Sequence, residues 1–258
     1  VFANGDVQVL MDDCARVFAE HLVADAAQEQ VILTGDNVVI ARNDLLIDHG
    51  VHVELERRNG TAEWKGPGQA RLLREPLDLT ADRRLERPKV PRRTTGKPGP
   101  VTMRARWNDG MDYDSMFNDG AGSIKLQGKV KVVAEPKPTE QDRLNGDTMI
   151  IQFVHQDDVT SGEGDTLSSA LQSNREEDPF QRGGDRVLEQ LIAKGNAQLE
   201  QRVWADDRHE GTPKLFYVAA RHITWNDIET SAEVIGNGEL VMRQPVSTEL
   251  QDSPDGIF

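Results

Sequence analysis

A 22-residue segment that occurs twice, at residues 21–42 and 222–243, constrains the fold more than any other feature. The copies, HLVADAAQEQVILTGDNVVIAR and HITWNDIETSAEVIGNGELVMR, align without a gap and share His, Asp or Asn, Gly, Arg and most apolar positions. We predict that each copy is a strand–turn–strand unit. Gly35 and Gly236 are expected to mark its turn, because a backbone site at positive φ between two strands is filled without strain only by glycine.

A looser third copy lies between them, with MDYD at 111–114 and LQGKVKVV at 126–133. Much of the remaining sequence alternates apolar and polar residues, as in VHVEL at 51–55, and short Gly, Asn and Asp clusters punctuate the alternation. This period of two predicts half-buried antiparallel strands joined by tight turns. Residues 186–193 fit either a short helix or a strand.

Two segments interrupt the strand pattern and divide the chain. Residues 57–100 are rich in Arg, Pro and Gly, residues 155–186 are polar and acidic, and we predict that both are long loops. The predicted organisation is a first β block at 1–56, a second at 101–154, a third at 187–245 and a tail at 246–258. We expect the three blocks to form one continuous β structure.

Composition excludes several classes of function. A formal net charge of −14 argues against nucleic acid as the main partner, because phosphate binding requires a cationic surface. An aromatic share of 5% is low for a compact globule and suits elongated β architectures. The single cysteine, Cys14, rules out an internal disulfide framework, and no apolar run is long enough to span a membrane as a helix. The chain starts without a signal peptide and inside a strand-like pattern, which suggests a piece of a longer protein.

The repeated units resemble the OstA-like superfamily, which includes the periplasmic lipopolysaccharide-transport proteins LptA and LptC and the periplasmic domain of LptD. The resemblance is carried by LIAKGNAQLEQ at 191–201, by AARHITWNDIETSAEVIGNGELV at 219–241, and by the second block. Trp225-Asn226 and Tyr113-Asp114 occupy the family's Tyr-Asp position, whereas Ala24-Asp25 keeps only the Asp. The two long loops and the irregular second block depart from the small single-domain members.

The resemblance implies an all-β fold, an elongated, twisted antiparallel open β-sandwich or jelly roll with a slot along its length. It also implies a non-enzymatic, periplasmic protein of outer membrane biogenesis that binds lipopolysaccharide or a similar acyl lipid. Such modules pair end to end with themselves or with other Lpt-like β modules. The candidate lipid-binding residues are the apolar positions expected on the interior face: Val7, Val9, Leu22, Val31, Leu33, Val39, Ile40, Leu126, Val130, Val132, Ile151, Ile223, Trp225, Val234 and Leu240.

Other chemistry has little support in the sequence. There is no nucleophile motif, no phosphate loop and no metal-ligand spacing, so we expect no enzyme activity, no cofactor and no metal. The alternative function is a β-repeat scaffold with a packed interior and no lipid. Carbohydrate binding needs an exposed aromatic platform, for which four Trp and two Tyr are few. A basic run from Arg83 to Arg106 is a connector, a contact for lipid phosphates or an acidic partner, or a cover for the chain's own acidic surface.

Overall fold

The computed structural model describes residues 1–10, 16–42, 45–73, 101–135, 137–155, 186–226, 228–229 and 231–244. These residues form strands with one helical turn. In chain order the elements are β1 (Phe2–Leu10), β2 (Arg16–Asp25), β3 (Gln30–Arg42), β4 (Leu45–Glu56), β5 (Thr61–Lys65), β6 (Gly68–Leu73), β7 (Val101–Trp107), β8 (Gly110–Asp114), α1 (Phe117–Gly120), β9 (Ser123–Ala134), β10 (Glu140–His155), β11 (Arg186–Val203), β12 (Lys214–Asn226), β13 (Ser231–Ile235) and β14 (Glu239–Arg243).

The described strands form one antiparallel sheet in which neighbours in the chain are neighbours in space. The short strands form three pairs, and the two strands of each pair together take the place of one long strand. The pairs are β5 with β6, β7 with β8, and β13 with β14. We call each long strand, and each such pair of short strands, a ribbon. For example, β4 pairs with β5 through one half and with β6 through the other. The sheet is therefore a meander in which each ribbon pairs only with the preceding and following ribbons.

Every ribbon is interrupted at the same level of the sheet. The pairing register shifts between Asn4 and Val7 in β1, between Thr34 and Val38 in β3, and between Asn145 and Thr148 in β10. Extra residues at such sites bend a strand and increase its twist. We call this row of bends the fold line; its glycines are Gly5, Gly35, Gly66, Gly128, Gly195 and Gly236.

The fold line divides the sheet into two layers that face each other. The first layer contains residues 2–4, 21–25, 30–34, 52–56, 61–65, 110–114, 123–127, 148–155, 186–194, 222–226 and 231–235. The second contains residues 7–10, 16–18, 38–42, 45–50, 68–73, 101–107, 130–134, 140–145, 197–203, 214–220 and 239–243. Leu33 and Val53 from the first layer share one buried cluster with Val17 and Val38 from the second. The predicted fold class, an all-β, antiparallel open β-sandwich, is confirmed.

The structure corrects the position of the turn in the repeated unit. In the first copy the hairpin turn is residues 26–29, between β2 and β3, and Gly35 lies within β3 on the fold line. Gly128 and Gly236 lie on the same line, with φ of 84° and 111°. The repeated unit is thus the end of one ribbon, a hairpin, and the next ribbon with its bend.

The structure also corrects part of the predicted loop at 57–100, because β5 and β6 lie in its first part. Both strands are rich in charged and small residues, which weakens their alternation. Residues 186–193 are a strand, part of β11. Residues 74–100, most of the acidic segment at 155–186 and the tail at 246–258 lie outside the described residues. The division into three blocks stays a prediction.

Candidate functional site

The inner face of the two layers is lined by the main apolar cluster. Among the predicted interior residues, Leu33, Leu126, Val130 and Ile223 are buried in this cluster. Five more are partly buried and pack against it: Val9, Leu22, Val31, Ile40 and Val132. These nine side chains therefore lie on one face of their strands, within or against the main apolar cluster.

Strand register places five further predicted residues on the same face, because directly paired residues on neighbouring strands share a face. Each of them lies opposite a residue of the main cluster or one packed on it. The pairs are Val7 with Ala19, Ile151 with Ile124, Trp225 with Leu191, Val234 with Ile223, and Leu240 with Val218.

Val39 lies on the opposite face, which corrects its assignment to the interior. It is buried in a second cluster with Phe18, Ala41 and Leu46. Successive residues of a strand point to opposite faces, so Val39 and Ile40 cannot both face the interior. Ile40 packs against the main cluster and is the inward residue.

The middle of the interior is closed by side chains. Trp64, Leu126, Val130 and Met149 are each 2% exposed or less. Protein side chains thus fill this part of the inner face, and an apolar ligand has no free surface there. A slot along the whole length, as the resemblance implies, is not present at this level of the sandwich.

The C-terminal end of the interior is open. The inward-facing Val234, Leu240 and Met242 are 48%, 62% and 69% exposed, and Trp225 is 38% exposed. β13 and β14 form the last ribbon of the described meander, so no further strand covers them. We call this surface the apolar mouth; it consists of Leu191, Phe216, Ile223, Trp225, Val234, Leu240 and Met242.

Sequence reasoning missed three residues of the apolar mouth. Leu191 pairs with Trp225, and Phe216 pairs with Met242. Met242 lies two residues after the predicted Leu240, and Phe216 lies two residues before Val218 in the strand-like run KLFYVAA. Extending the alternation at Leu240 by one step would have found Met242, and the period-two pair Phe216 and Val218 was a signal for Phe216.

Asp142 brings a carboxyl group to the inner face near the mouth. It lies two residues from the buried Leu144 and pairs with Gln201, which in turn pairs with Phe216. Burial raises the pKa of Asp142, and a hydrogen bond from Gln201 partly offsets this effect. Its Oδ1 is buried without a hydrogen-bond partner. The inner face is therefore mainly apolar and carries a partly buried carboxyl group close to its open end.

The described residues contain no group of three or more His, Cys, Asp or Glu arranged to hold a metal ion. No helix within the described ranges is long and apolar enough to cross a bilayer.

Comparison with known proteins gives similarity of structure but not of sequence. No protein-family model matches the chain, and no curated protein matches it in sequence. Among solved structures, the chain is similar to LptH of Pseudomonas aeruginosa, described as the LptA homologous periplasmic component of the conserved lipopolysaccharide transport device. The two are 19% identical, the match covers 62% of this chain and 89% of LptH, and the TM-score is 0.34.

Proposed function

We propose that this chain is a non-enzymatic binding module that takes up an acyl chain of lipopolysaccharide or a related amphiphile at its apolar mouth. The observation that carries the proposal is the exposure of inward-facing apolar side chains on the last ribbon, next to a closed and dry interior. Large inward apolar residues on a sandwich are normally covered by the opposite layer. An acyl chain lying against them would complete the packing.

The energetics suit a carrier. Burying an acyl chain contributes about 0.8 kcal/mol per methylene, and this contribution needs no specific polar contact. A ligand held by apolar area alone is bound reversibly and can be passed on. The sequence motifs shared with the OstA-like superfamily support the same class of ligand.

Site-specific photo-crosslinking tests this proposal. A photoreactive phenylalanine analogue at Leu240 points inward, whereas the same analogue at the neighbouring Glu239 points outward on the same strand. With radiolabelled lipopolysaccharide, we expect labelling through position 240 and through position 234, and none through position 239. Equal labelling at 239 and 240 would indicate nonspecific contact and contradict the proposal.

A second candidate function is a β-repeat scaffold without a lipid ligand. The closed middle of the interior, where Met149 and Trp64 are fully covered by protein, favours it. A protein that shows no crosslink to lipid at any inward position, and whose stability is unchanged by lipid, would be such a scaffold.

The proposal includes an extracytoplasmic location, based on the sequence resemblance. Fractionation of the source cells tests this, with antibody detection in the periplasmic fraction as the expected result. Recovery in the cytosolic fraction alone would contradict the location.

Edge-to-edge pairing between modules is also part of the proposed function. Within the described sheet, β1 and the β13–β14 ribbon each have a neighbour on one side only, which leaves backbone groups available for pairing. We expect concentration-dependent association in analytical ultracentrifugation. Substitution of Val234 by proline, which removes a backbone donor from the outer ribbon, is expected to weaken the association.

A further inference from the structure

The bend of the last ribbon contains an Asn-Gly dipeptide that lies outside the paired strands. Residues 236–238 read Gly-Asn-Gly and belong neither to β13 nor to β14. The strand β12 pairs with β13 up to Ile235 and with β14 from Glu239, so the bend between them has no strand pairing. On β12, Ala220 and Arg221 line an open cleft of about 560 Å³ together with the bend.

An Asn-Gly pair can undergo an intramolecular reaction, because glycine has no side chain to shield its backbone nitrogen. The nitrogen of Gly238 attacks Cγ of Asn237 and forms a new N–Cγ bond. The Cγ–Nδ2 bond breaks, and Nδ2 leaves as ammonia with the proton from the Gly238 nitrogen. Water then opens the resulting cyclic imide at either carbonyl. The products are an aspartyl linkage and an isoaspartyl linkage, in which the backbone runs through the side-chain carboxyl carbon.

The reaction requires an amide side chain that is free to turn toward the next backbone nitrogen. Within the described parts of the chain, neither the Asn237 side chain nor the Gly238 N–H makes a hydrogen bond. Both residues are exposed to solvent. Local opening costs little where backbone groups are unpaired and exposed, so the bend is the part of the last ribbon best able to reach the reactive geometry.

The sequence has three other Asn-Gly pairs, at residues 4–5, 59–60 and 145–146, and the structure holds the asparagine of each. In the hairpin between β4 and β5, Asn59 donates to Glu56 Oε2 at 2.7 Å. The attacking nitrogen is also engaged there, because the Gly60 N–H donates to the Arg57 carbonyl at 3.2 Å.

The remaining two pairs lie within strands on the fold line. Asn145, in β10, donates its side-chain amide to Gln198 Oε1 at 3.4 Å. In β1, Asn4 Oδ1 is 3.0 Å from His21 Nδ1. The same dipeptide therefore occurs four times, and Asn237 differs from the others in lacking a side-chain partner among the described residues.

The repeated segment shows that the product fits at this position. Asn237 aligns with Asp36, and each follows a fold-line glycine, Gly236 or Gly35. An aspartate is thus already accommodated at the equivalent place in the first copy. Arg221 is exposed and lines the same cleft, so the new carboxylate arises near a cation.

We propose that Asn237 is a modification site, at which the folded protein deamidates to an aspartyl or isoaspartyl linkage. The isoaspartyl product lengthens the backbone between β13 and β14 by a carbon atom. It thereby alters the spacing of these two strands along β12 and leaves the other ribbons unchanged. This inference does not depend on the proposed lipid ligand.

Peptide mapping by mass spectrometry tests the proposal on the full chain. The folded protein and a sample in concentrated urea are incubated side by side at mildly alkaline pH, and conversion is followed at all four Asn-Gly pairs. The protein concentration is one at which sedimentation shows a monomer, so that edge pairing does not cover the bend. Circular dichroism before and after incubation establishes that the native sample stays folded.

In urea, we expect similar rates of conversion at the four pairs, because none retains its structural partners. In the folded protein, Asn237 is expected to keep a rate close to that in urea, whereas the other three are expected to slow severalfold. The proposal is overturned if the folded protein slows conversion at Asn237 as strongly as at Asn59, or if all four convert equally while the protein is folded.

The matched variant Asn237→Gln retains an amide side chain but lengthens it, which disfavours closure of the imide. It is expected to lose conversion at position 237 and to keep the rates at the other three pairs unchanged. Gly238→Ala is unsuitable, because a Cβ there would overlap the Ala219 carbonyl oxygen. Unchanged total release of ammonia from folded Asn237→Gln would also contradict the assignment of the reaction to Asn237.

Discussion

The indole rings of Trp64 and Trp107 meet edge to face across the fold line, with centroids 6.0 Å apart and ring planes at 77°. Trp64 belongs to β5 in the first layer and Trp107 to β7 in the second. Both are 1% exposed. A side chain at Gly50 would overlap the ring of Trp64, and one at Gly68 would overlap the ring of Trp107. The pair thus joins the two layers where the sheet bends.

Replacement of the two tryptophans by phenylalanine is expected to lower the free energy of unfolding by different amounts. Trp64 Nε1 donates to the Pro67 carbonyl at 3.1 Å, whereas Trp107 Nε1 is buried without a partner. Trp64→Phe therefore loses a hydrogen bond and leaves an acceptor unpaired, and we expect it to cost about 1 kcal/mol more than Trp107→Phe. Urea unfolding monitored by circular dichroism measures both. An equal or larger loss for Trp107→Phe would contradict this account.

Gly128→Ala is expected to destabilise the protein more than Gly5→Ala. Both glycines have positive φ, 84° and 97°, so both alanine variants carry backbone strain. A Cβ at Gly128 would lie 2.6 Å from the Asp109 backbone nitrogen, whereas one at Gly5 has nothing within 4 Å. The additional cost at Gly128 is expected to be about 1–3 kcal/mol. Equal unfolding free energies for the two variants would show that close approach at Gly128 is unimportant.

Substitutions of Asp48 and Arg71, which form a buried ion pair, are expected to have strongly coupled effects on the free energy of unfolding. Arg71→Met leaves a buried carboxylate without its guanidinium, which costs about 3–5 kcal/mol. The double variant Asp48→Leu/Arg71→Met is expected to lose less than the sum of the two single variants. As a comparison, Lys137→Met breaks an exposed pair with Glu140 and is expected to cost less than about 1 kcal/mol. Additive losses in the double-mutant cycle would contradict the coupling.

Asp142→Asn is expected to stabilise the protein at neutral pH. Burial raises the pKa of Asp142 in the folded state above its ordinary value, so the folded state binds this proton more tightly than the unfolded state. The contribution of this group to stability is therefore fully present below the unfolded pKa. It is lost as the pH rises through the folded pKa.

Urea midpoints at neutral pH and near pH 3.5 check this prediction for the Asp142→Asn variant. The advantage of the variant should be present at neutral pH and should be largely lost near pH 3.5, where the carboxyl group is mostly protonated in both states. A variant that is less stable than the unsubstituted protein at neutral pH would be inconsistent with the raised pKa.

The sequence predicts the strands and their inner faces well, because period-two alternation is a local property. Val130 and Val132 face inward as their alternation indicates. The hairpin position was wrong because a glycine at a bend within a strand and a glycine in a turn have the same local surroundings. Only the pairing of Thr34 with His52 and of Val38 with Gly50 shows that Gly35 lies within a paired strand.

The open end of the interior could not be predicted from the apolar–polar pattern within single strands. Val130 and Val234 both belong to an alternating strand next to a fold-line glycine, yet Val130 is 1% exposed and Val234 is 48% exposed. The difference arises from their positions in the meander, since Val130 lies in a central ribbon and Val234 in the last one. Exposure of an inward residue depends on how many ribbons lie on either side of it, which no single strand encodes.

The strictly sequential pairing of the ribbons has a consequence for how such a chain changes over evolutionary time. Each ribbon depends only on its two neighbours, and each carries its own bend. A duplicated or deleted hairpin at either edge therefore lengthens or shortens the protein without altering the packing of the remaining ribbons. The two copies at residues 21–42 and 222–243, which lie near opposite ends of the meander, are compatible with growth of this kind. The length of the protein can thereby change by one hairpin at a time.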